Sequence, residues 1–426
     1  MLYSRLFEEK NSVDEKSLTL RGVNRFSVLH LVTSLLVVFS AFLSLRHFFT
    51  ANFPTSIYAG SFCDISRFFN CDSSAYSYIA QIFGVPLGYF GMAVGMASLM
   101  GILFPSLGFE RTNKFLNFFN VLGITGLILI SIFILKSVCL LCVAYYIFSF
   151  LNFFLYYKYG IDSRRGFIKQ HLQPSVRHLV GIGLLTLMGA VGMYAYHQAK
   201  IEAQGGGVAN KIVQQYFSLP KVKNPSIISP YYTIQATKDF ESAPIRIVEY
   251  ADFQCPDCLK LRNDLEDLKK DFGDKMNVAF QFFPLDGKCN NVVDKDKHPQ
   301  SCALSYIAAH DPSKFLAIHD EIFDNLRKTR SDEWVENLAK KYGVEEAFTD
   351  EKTKKIVHDI INTGKEYKPT SDRYKYGIRS TPTMILNERM VIGTLPKVQL
   401  RAIFNAILKK EKKDKEKPPG FIEDWR

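Results

Sequence analysis

Five apolar runs, each long enough to cross a membrane, constrain the fold of this chain more than any other feature. A spanning helix needs about 20 predominantly apolar residues. The runs occupy residues 26–45, 82–104, 115–135, 137–157 and 178–196. Beyond residue 197 the chain becomes polar and rich in Lys, Asp and Glu. We therefore predict an integral membrane part followed by a soluble domain.

The distribution of Lys and Arg between the runs predicts the orientation of the spans, because basic loops stay on the cytoplasmic side. Twelve basic residues fall on one side: Arg5, Lys10, Lys16, Arg21 and Arg25 before the first run, Arg111 and Lys114 after the second, and Lys158, Arg164, Arg165, Lys169 and Arg177 after the fourth. The opposite loops hold Arg67 and Lys136, with Arg46 at a boundary. We expect a cytoplasmic N-terminus and a soluble domain on the outer side of the membrane, in the periplasm if the cell has one.

The basic loops of the membrane part account for much of the net charge of +11. Because no nucleic-acid motif accompanies this charge, nucleic acid is not an expected partner.

Eight cysteines fall into four close pairs, all predicted on the oxidising side: Cys63 and Cys71, Cys139 and Cys142, Cys255 and Cys258, and Cys289 and Cys302. Paired cysteines indicate redox chemistry or disulfides. A zinc site is disfavoured because no His cluster lies near the first four, and we predict no metal.

The soluble half carries the pattern of an α/β layer of the thioredoxin type with a helical insertion. A strand at 245–250 leads into Cys255-Pro256-Asp257-Cys258 at the start of a helix. A second strand is predicted at 278–283, helices over 300–370, a hairpin at 383–392 and a closing helix at 400–408. Thr381-Pro382 stands just before the hairpin, and we predict a cis peptide bond there beside the dithiol.

The position of Cys255 at a helix N-terminus favours its thiolate, which is the nucleophile of disulfide exchange. We predict an exposed, attacking Cys255 and a shielded, resolving Cys258; a structural pair is the alternative. Asp257 opposes thiolate formation.

The pair Cys139 and Cys142 lies in lipid, where a lipid-soluble quinone (ubiquinone or menaquinone) is the acceptor that a dithiol can meet. The alternative is that both cysteines fill the core.

The loop pair Cys63 and Cys71 can face the soluble domain and pass electrons to the membrane pair, or it can serve as a loop staple. For Cys289 and Cys302 we predict a structural disulfide that closes a short loop, with a redox role as the alternative.

Residues 26–157 resemble the vitamin K epoxide reductase family. The resemblance rests on Cys63-x7-Cys71, Ser77, Phe83-Gly84-Val85-Pro86 and Cys139-Leu140-Leu141-Cys142. It implies a four-helix bundle around a quinone, in which Cys71 exchanges with Cys139 and Cys142 faces the quinone.

By the same resemblance Ser77 and Tyr146 lie near the quinone; an ordinary helix-start hydroxyl and an interfacial aromatic are the alternatives. Ala80 stands where animal members carry an asparagine. This departure disfavours epoxide reduction and suits a bacterial quinone.

Residues 242–409 resemble DsbA-like thioredoxins. The shared features are Asp252 to Cys258, the Cys289/Cys302 pair and Thr381-Pro382. This resemblance implies that Cys255 attacks a Cys63–Cys71 disulfide, most simply at Cys63.

The expected organisation is a cytoplasmic arm at 1–25, the membrane domain at 26–157, a cytoplasmic loop at 158–177, a fifth span at 178–197, a linker at 198–222, a thioredoxin-like domain at 223–411 and a charged tail at 412–426. The predicted activity is a thiol:quinone oxidoreductase that forms disulfides in periplasmic thiol proteins, directly or through a separate DsbA-like carrier. Two alternatives stand beside it: a quinol-driven reductase or isomerase, and a non-catalytic chaperone or docking module.

Overall fold

The computed structural model describes residues 7–9, 18–20, 25–57, 71–135, 137–159, 171–293, 297–367 and 377–416. Among them, residues 25–52 and 71–200 form one compact unit, and residues 53–57 and 201–416 form a second. In the N-terminal arm a short antiparallel hairpin joins β1 (Phe7–Glu9) and β2 (Leu18–Leu20).

Five apolar helices build the first unit: α1 (Arg25–Asn52), α3 (Leu87–Leu103), α4 (Leu107–Leu129), α5 (Leu140–Tyr159) and α6 (Val176–Gly205). A π-helical segment, Ile130–Leu135, continues α4. Within the described residues four of these helices are long and apolar enough to cross a membrane, whereas α3 is shorter. Both α1 and α4 pack against α3 and α5, which gives the expected four-helix bundle.

Small residues on α3 let it approach α1 closely. A Cβ atom added at Gly88 would lie 2.9 Å from the backbone nitrogen of Leu45, and one added at Gly95 would lie 2.7 Å from the side chain of Val38. Helices in lipid associate through such close packing because lipid is as apolar as their own side chains.

The polar end of α4 differs from the sequence prediction. The helix begins at Leu107, where Ser106 Oγ accepts a hydrogen bond from the backbone N–H of Phe109 at 3.1 Å. Arg111 and Lys114, which we assigned to a loop, therefore lie in its first turns. Lys114 is only 1% exposed. Hydropathy alone misses this start because the helix opens with charged residues that the bundle buries.

The chain between α1 and α3 is compact where it is described. Helix α2 (Asp72–Ala75) leads to a small hairpin of β3 (Gln81–Ile82) and β4 (Val85–Pro86). Phe83 and Gly84 form its turn with φ values of 49° and 81°. Because side chains rarely adopt positive φ, the glycine of the Phe-Gly motif serves this turn.

The second unit contains a five-stranded mixed sheet. Its strands are β5 (Tyr232–Gln235), β6 (Ile245–Ala251), β7 (Met276–Phe282), β8 (Thr383–Leu386) and β9 (Arg389–Ile392), in the order β5-β7-β6-β8-β9. Strands β6 and β7 are parallel and the other neighbours antiparallel. The sequence did not predict β5, a short edge strand with little apolar alternation.

Helices cover both faces of this sheet: α7 (Gly207–Ser218), α8 (Pro256–Phe272), α9 (Ser301–His310), α10 (Phe315–Asp324), α11 (Asp332–Tyr342), α12 (Glu351–Thr363) and α13 (Lys397–Glu416). Ile245 and Ile247 pack with α7, α8 and α13, whereas Val248 and Tyr250 pack with the helical insertion. This period of two places Glu249 on the face that α8 covers. The charged segment predicted as a tail is helical as far as Glu416.

The start of the segment that follows α1 packs with the second unit. Pro54 O accepts a hydrogen bond from Gln399 Nε2 at 2.6 Å, and the backbone N–H of Ile57 donates to Gln215 Oε1 at 3.1 Å. Ile57 is buried among apolar residues of α7 and α13.

Candidate redox site

A cavity of about 310 Å³ lies inside the four-helix bundle, lined by residues from α1 to α5. Its walls are mainly apolar, and they include seven positions that the sequence singled out. These are Cys71, Ser77, Ala80, Pro86, Cys139, Cys142 and Tyr146. The predicted membrane pair and the predicted quinone contacts therefore share one chamber.

The membrane cysteines stand at the N-terminus of α5 as free thiols. Cys139 immediately precedes the helix, and its carbonyl accepts from the backbone N–H of Val143 at 2.9 Å. The backbone N–H of Cys142 donates to Cys139 Sγ at 3.3 Å. An N–H at a helix N-terminus can stabilise negative charge on the sulfur that it contacts. Cys142 Sγ lies 4.0 Å from Ser44 Oγ.

Of the loop pair, Cys71 is fully buried at the start of α2 and is disulfide-bonded. It lines the same cavity as Cys139. Its carbonyl accepts from the backbone N–H groups of Ser74 and Ala75. Cys63 lies outside the described residues, so its predicted role stays a prediction.

A buried histidine–aspartate pair that the sequence analysis missed lies beside these cysteines. His47 Nε2 of α1 is 3.2 Å from Oδ1 of Asp72, and both side chains are buried. His47 lines the cavity with Cys71 and Cys139. A histidine near the end of a span and a carboxylate next to a redox cysteine were the available signals, because ionisable groups in a membrane protein usually serve function.

A second pair of polar residues that the sequence analysis missed lies in the cavity wall on the α4 side. Tyr145 donates its hydroxyl hydrogen to Asn120 Oδ1 at 2.7 Å. Within the described part of the chain, the buried Nδ2 of Asn120 has no hydrogen-bond acceptor. Both residues line the cavity, so an acceptor atom of a bound molecule would satisfy this amide. A Cβ added at Gly91 would lie 2.9 Å from the ring of Tyr145, so the glycine makes room for this tyrosine.

Ser77 and Tyr146 are placed in the cavity wall. Ser77 Oγ donates to the carbonyl of Ser74 at 2.7 Å. The residue stands at the start of the turn Tyr78–Ala80 without capping it through its side chain, so a helix-start hydroxyl and a quinone contact both stay predictions. Ala80 presents only a methyl group to the cavity, and Asn120 supplies an amide from α4 instead.

In the second unit Cys255 and Cys258 stand where β6 passes into α8. Cys255 is the N-cap residue of the helix, Pro256 occupies its first turn, and no disulfide joins Cys255 to Cys258. The Thr381–Pro382 bond is cis, as predicted. Cys255 Sγ donates to the carbonyl of Thr381 at 3.4 Å. The dithiol and the proline loop therefore form one site.

The predicted exposure of Cys255 is wrong for this structure. Cys255 is only 3% exposed and Cys258 is fully buried. The sulfur of Cys255 lies against the Thr381 carbonyl, which sequence spacing could not show. Burial and the neighbouring Cys255 raise the pKa of the Cys258 thiol well above its ordinary value. Cys258 therefore keeps its proton until exchange begins, as a resolving thiol should.

Glu249 is a buried carboxyl beneath this dithiol that the sequence analysis did not identify. It lies on β6, only 3% exposed, and burial raises its pKa to about 8. Its charge also contributes to the raised pKa of Cys258. The signal was an acidic residue in phase with Ile245 and Ile247 on one face of the strand, because burial raises the pKa of a carboxyl.

Asp252 anchors the loop that leads to Cys255. Its carboxylate accepts hydrogen bonds from the backbone N–H groups of Gln254 and Leu285, each at 2.6 Å, and from Ser301 Oγ at 2.5 Å. Burial opposes ionisation, but His298 at 3.0 Å and these donors outweigh it and hold the pKa of Asp252 below its ordinary value. The loop is thus tied to the helical insertion.

Cys289 and Cys302 form a disulfide at the start of α9. The backbone N–H of Cys289 donates to the carbonyl of Asp286 at 3.4 Å. This bond belongs to the helical insertion, outside the helix-start setting of the Cys255 dithiol.

Two family models match the chain. Residues 27–157 match the vitamin K epoxide reductase family and residues 240–406 match a thioredoxin family. Both resemblances inferred from the motifs are thereby confirmed.

Similar proteins agree with these matches. Disulfide bond formation protein D of Bacillus subtilis is 28% identical over 167 residues, which cover 35% of this chain and 67% of that protein. A probable disulfide bond formation protein D of Bacillus cereus is 28% identical over 188 residues, covering 43% and 81%. Among solved structures, a periplasmic thioredoxin-like protein from Salmonella enterica serovar Typhimurium has 20% identity and a TM-score of 0.33, covering 42% of this chain and 92% of that one.

Proposed function

This chain is a membrane thiol–disulfide oxidoreductase that joins a vitamin K epoxide reductase family domain at 27–157 to a thioredoxin-like domain at 240–406, and we propose that it makes disulfides at the expense of a membrane quinone. In the balanced reaction a protein dithiol and a quinone give a protein disulfide and a quinol. Two electrons and two protons leave the dithiol, and the quinone gains two of each.

The observation that carries the quinone proposal is the cavity around Cys139 and Cys142. It is mainly apolar and presents an unsatisfied amide donor, Asn120 Nδ2, whose place Tyr145 fixes. A quinone is an apolar ring with carbonyl acceptors, so its chemistry fits both features. When bound, it supplies a two-electron acceptor that the protein lacks. Ubiquinone and menaquinone share this chemistry.

The proposed relay begins in the thioredoxin-like domain. A substrate thiolate attacks an oxidised Cys255–Cys258 pair, and substrate oxidation leaves both cysteines reduced. Cys255 then attacks Cys63 of the loop disulfide, and Cys258 resolves the mixed disulfide. Glu249, with a pKa of about 8, accepts the Cys258 proton in its ionised form, which is the minor form at pH 7, as that thiol becomes a nucleophile.

Next, the Cys71 thiolate attacks Cys139 of an oxidised Cys139–Cys142 pair and releases Cys142. Cys63 then resolves the Cys71–Cys139 mixed disulfide, which restores Cys63–Cys71 and leaves Cys139 and Cys142 as a dithiol. This dithiol would return to the disulfide by giving two electrons and two protons to a bound quinone. The buried His47–Asp72 pair is available to hold the proton released near Cys71 and Cys139. Ser44 lies against Cys142 and orients its thiol toward the cavity.

The proposed location is a bacterial inner membrane with the N-terminus in the cytoplasm and the thioredoxin-like domain in the periplasm. The domain layout of the sequence analysis is proposed with it, except that the predicted linker at 198–222 is wrong for residues 207–222, because α7 packs against the sheet of the second unit. Support comes from Pro54 and Ile57, which hold the start of the segment leading to Cys63 on the soluble unit. Periplasmic thiol proteins, or a separate carrier of the DsbA type, are the proposed donors.

The test uses the purified full-length chain, a reduced thiol protein and a short-chain ubiquinone. We expect quinol to form with the wild type and none with Cys142→Ala. Asn120→Leu should raise the KM for the quinone by about tenfold, because a lost hydrogen bond in a buried site is worth about 1.4 kcal/mol.

Thr125→Val is the matched control on the same helix. Thr125 is exposed and donates only to the carbonyl of Val121, so this variant should keep wild-type rates. Quinol formation by Cys142→Ala at the wild-type rate would contradict the relay.

A further inference from the structure

A column of buried polar side chains leaves the cavity and runs toward the opposite end of the bundle. On α4 its members recur every three or four residues: Asn120, Asn117, Asn113 and Glu110. On α5 they do the same: Tyr145, Ser149, Asn152 and Tyr156. Residues at this spacing share one helix face, and α4 packs against α5. The six members of the column other than Asn120 and Tyr145 are all buried.

The middle of the column joins all four helices of the bundle. Asn117 Nδ2 donates to Ser98 Oγ at 3.1 Å. Asn152 Nδ2 donates to Asn117 Oδ1 and to Ser98 Oγ, each at 3.2 Å. Ser34 Oγ donates to Asn152 Oδ1 at 3.2 Å. The bundle core is therefore hydrogen-bonded at a depth where apolar packing would be expected.

The far end of the column carries ionisable groups. Tyr156 is 1% exposed, and its hydroxyl interacts with Ser98 and Asn113 and with the charge of Glu110. Glu110 and Lys114 are buried one turn apart on α4. Ten residues separate Glu110 from Asn120, which at about 1.5 Å per residue is a rise of ~15 Å.

Ser149 lies between the middle layer and the cavity. It is buried one turn from Tyr145 and about one turn from Asn152 on the same face of α5. Hydroxyl groups both donate and accept hydrogen bonds, so Ser98, Ser149, Tyr145 and Tyr156 can each receive a proton on one side and release one on the other. Asparagines contact three of these hydroxyls: Asn120 that of Tyr145, Asn117 and Asn152 that of Ser98, and Asn113 that of Tyr156. Polar and ionisable groups inside a membrane mark proton paths in other proteins.

We propose that this column conducts protons from the Glu110 end of the bundle to the cavity. The inference rests on the proposed quinone reduction, which consumes two protons in the cavity while two leave the thiols at the soluble domain. Helix α4 starts at the end opposite Cys139, so the protons taken up enter from the other side of the membrane. Each disulfide formed then moves two positive charges across the bilayer in net terms.

The test reconstitutes the full-length chain in phospholipid vesicles with a short-chain ubiquinone and a pH-sensitive dye trapped inside. A reduced thiol protein added outside selects molecules whose soluble domain faces outward. We expect the interior to become alkaline by two protons for each quinol formed. Glu110→Gln and Asn117→Leu should slow quinol formation and proton uptake at least tenfold, while Glu110→Asp retains most of both.

Disulfide exchange without quinone separates a proton path from a structural role. In a single turnover, oxidised wild type and both variants should oxidise the thiol protein at equal rates, because that step uses no proton from the column. Thr125→Val, on the lipid-facing side of α4, is the control that keeps wild-type values throughout.

Four results would overturn the proposal. A wild type that forms no quinol removes both the proposed function and the path. If the wild type forms quinol normally, two observations would refute the proton path alone. One is the same rate of quinol formation in both variants, and the other is the absence of interior alkalinisation. Equal slowing of the quinone-free exchange in the variants would show a structural column and would likewise refute proton conduction.

Discussion

Replacing Glu249 by glutamine should stabilise the thioredoxin-like domain, and the gain should grow with pH. The carboxyl is 3% exposed on β6, and burial raises its pKa from 4.5 to about 8. A folded-state pKa above the unfolded one means that the folded domain prefers the protonated form. This preference stabilises the fold below pH 4.5 and is progressively lost as the pH rises through 8.

The magnitude follows from the two pKa values. Each unit of difference corresponds to 1.36 kcal/mol. At pH 7 the unfolded carboxyl is ionised and the folded one is mostly protonated, so Glu249 lowers the free energy of unfolding by about 3 kcal/mol. At pH 5 the same reasoning gives about 1 kcal/mol. Glu249→Gln removes the titration, so its advantage over the wild type should increase by about 2 kcal/mol between pH 5 and pH 7.

Tryptophan fluorescence can follow this domain within the full-length chain. Both tryptophans of the sequence, Trp334 and Trp425, follow residue 201, and Trp334 packs against the domain core. Urea unfolding of detergent-solubilised wild type and Glu249→Gln at several pH values gives the two free energies. The difference between pH values cancels any constant packing effect of glutamine.

A constant difference between the two proteins from pH 5 to pH 8 would refute the reasoning, because it would mean that Glu249 titrates alike in both states. The same variant should slow resolution by Cys258, since the proposed proton acceptor is gone. Glu249→Asp, which keeps a carboxyl, is the matched control for that step.

Three other predictions use the same chain. Gly91→Ala should raise the KM for the quinone severalfold, because the new methyl group would lie 2.9 Å from the ring of Tyr145. Steady-state kinetics of quinol formation measures this KM. An unchanged value would contradict the assignment of Gly91 and Tyr145 to the wall of the quinone cavity. Folding lowers the pKa of Asp252 from 3.8, so the wild type loses free energy of unfolding as the pH falls below that value. Asp252→Asn should have a lower free energy of unfolding than the wild type at pH 7, but acidification should reduce it less. Urea unfolding at several pH values measures both differences. Replacing Cys289 and Cys302 by alanine should cost about 3 kcal/mol of unfolding free energy while thiol oxidation continues; loss of turnover in the folded variant would instead indicate a redox role.

Much of the architecture could be predicted from local sequence. The apolar runs were long enough to identify spans, and Cys255-Pro256-Asp257-Cys258 between a strand and a helix identified the soluble fold. Element ends were less well determined where burial overrides composition. Helix α4 starts eight residues before the predicted span because Arg111 and Lys114 are included in it.

The spacing of the paired cysteines predicted their chemistry, but it did not predict which groups surround each sulfur. Two C-x-x-C pairs and the Thr381-Pro382 dipeptide were visible in the sequence. That Cys255 is covered by the Thr381 carbonyl depends on strand β8 lying next to β6, a pairing between residues far apart in the chain.

Sequence by itself determined that this chain has a membrane half, a thioredoxin-like half and four cysteine pairs, because apolar length and residue spacing are local properties. Only the tertiary structure decided which polar groups share a chamber with them. Asn120 and Tyr145 meet because α4 packs on α5, and Glu249 reaches Cys258 because α8 covers its face of the sheet. Such partners are set by packing between distant segments, which no local pattern records.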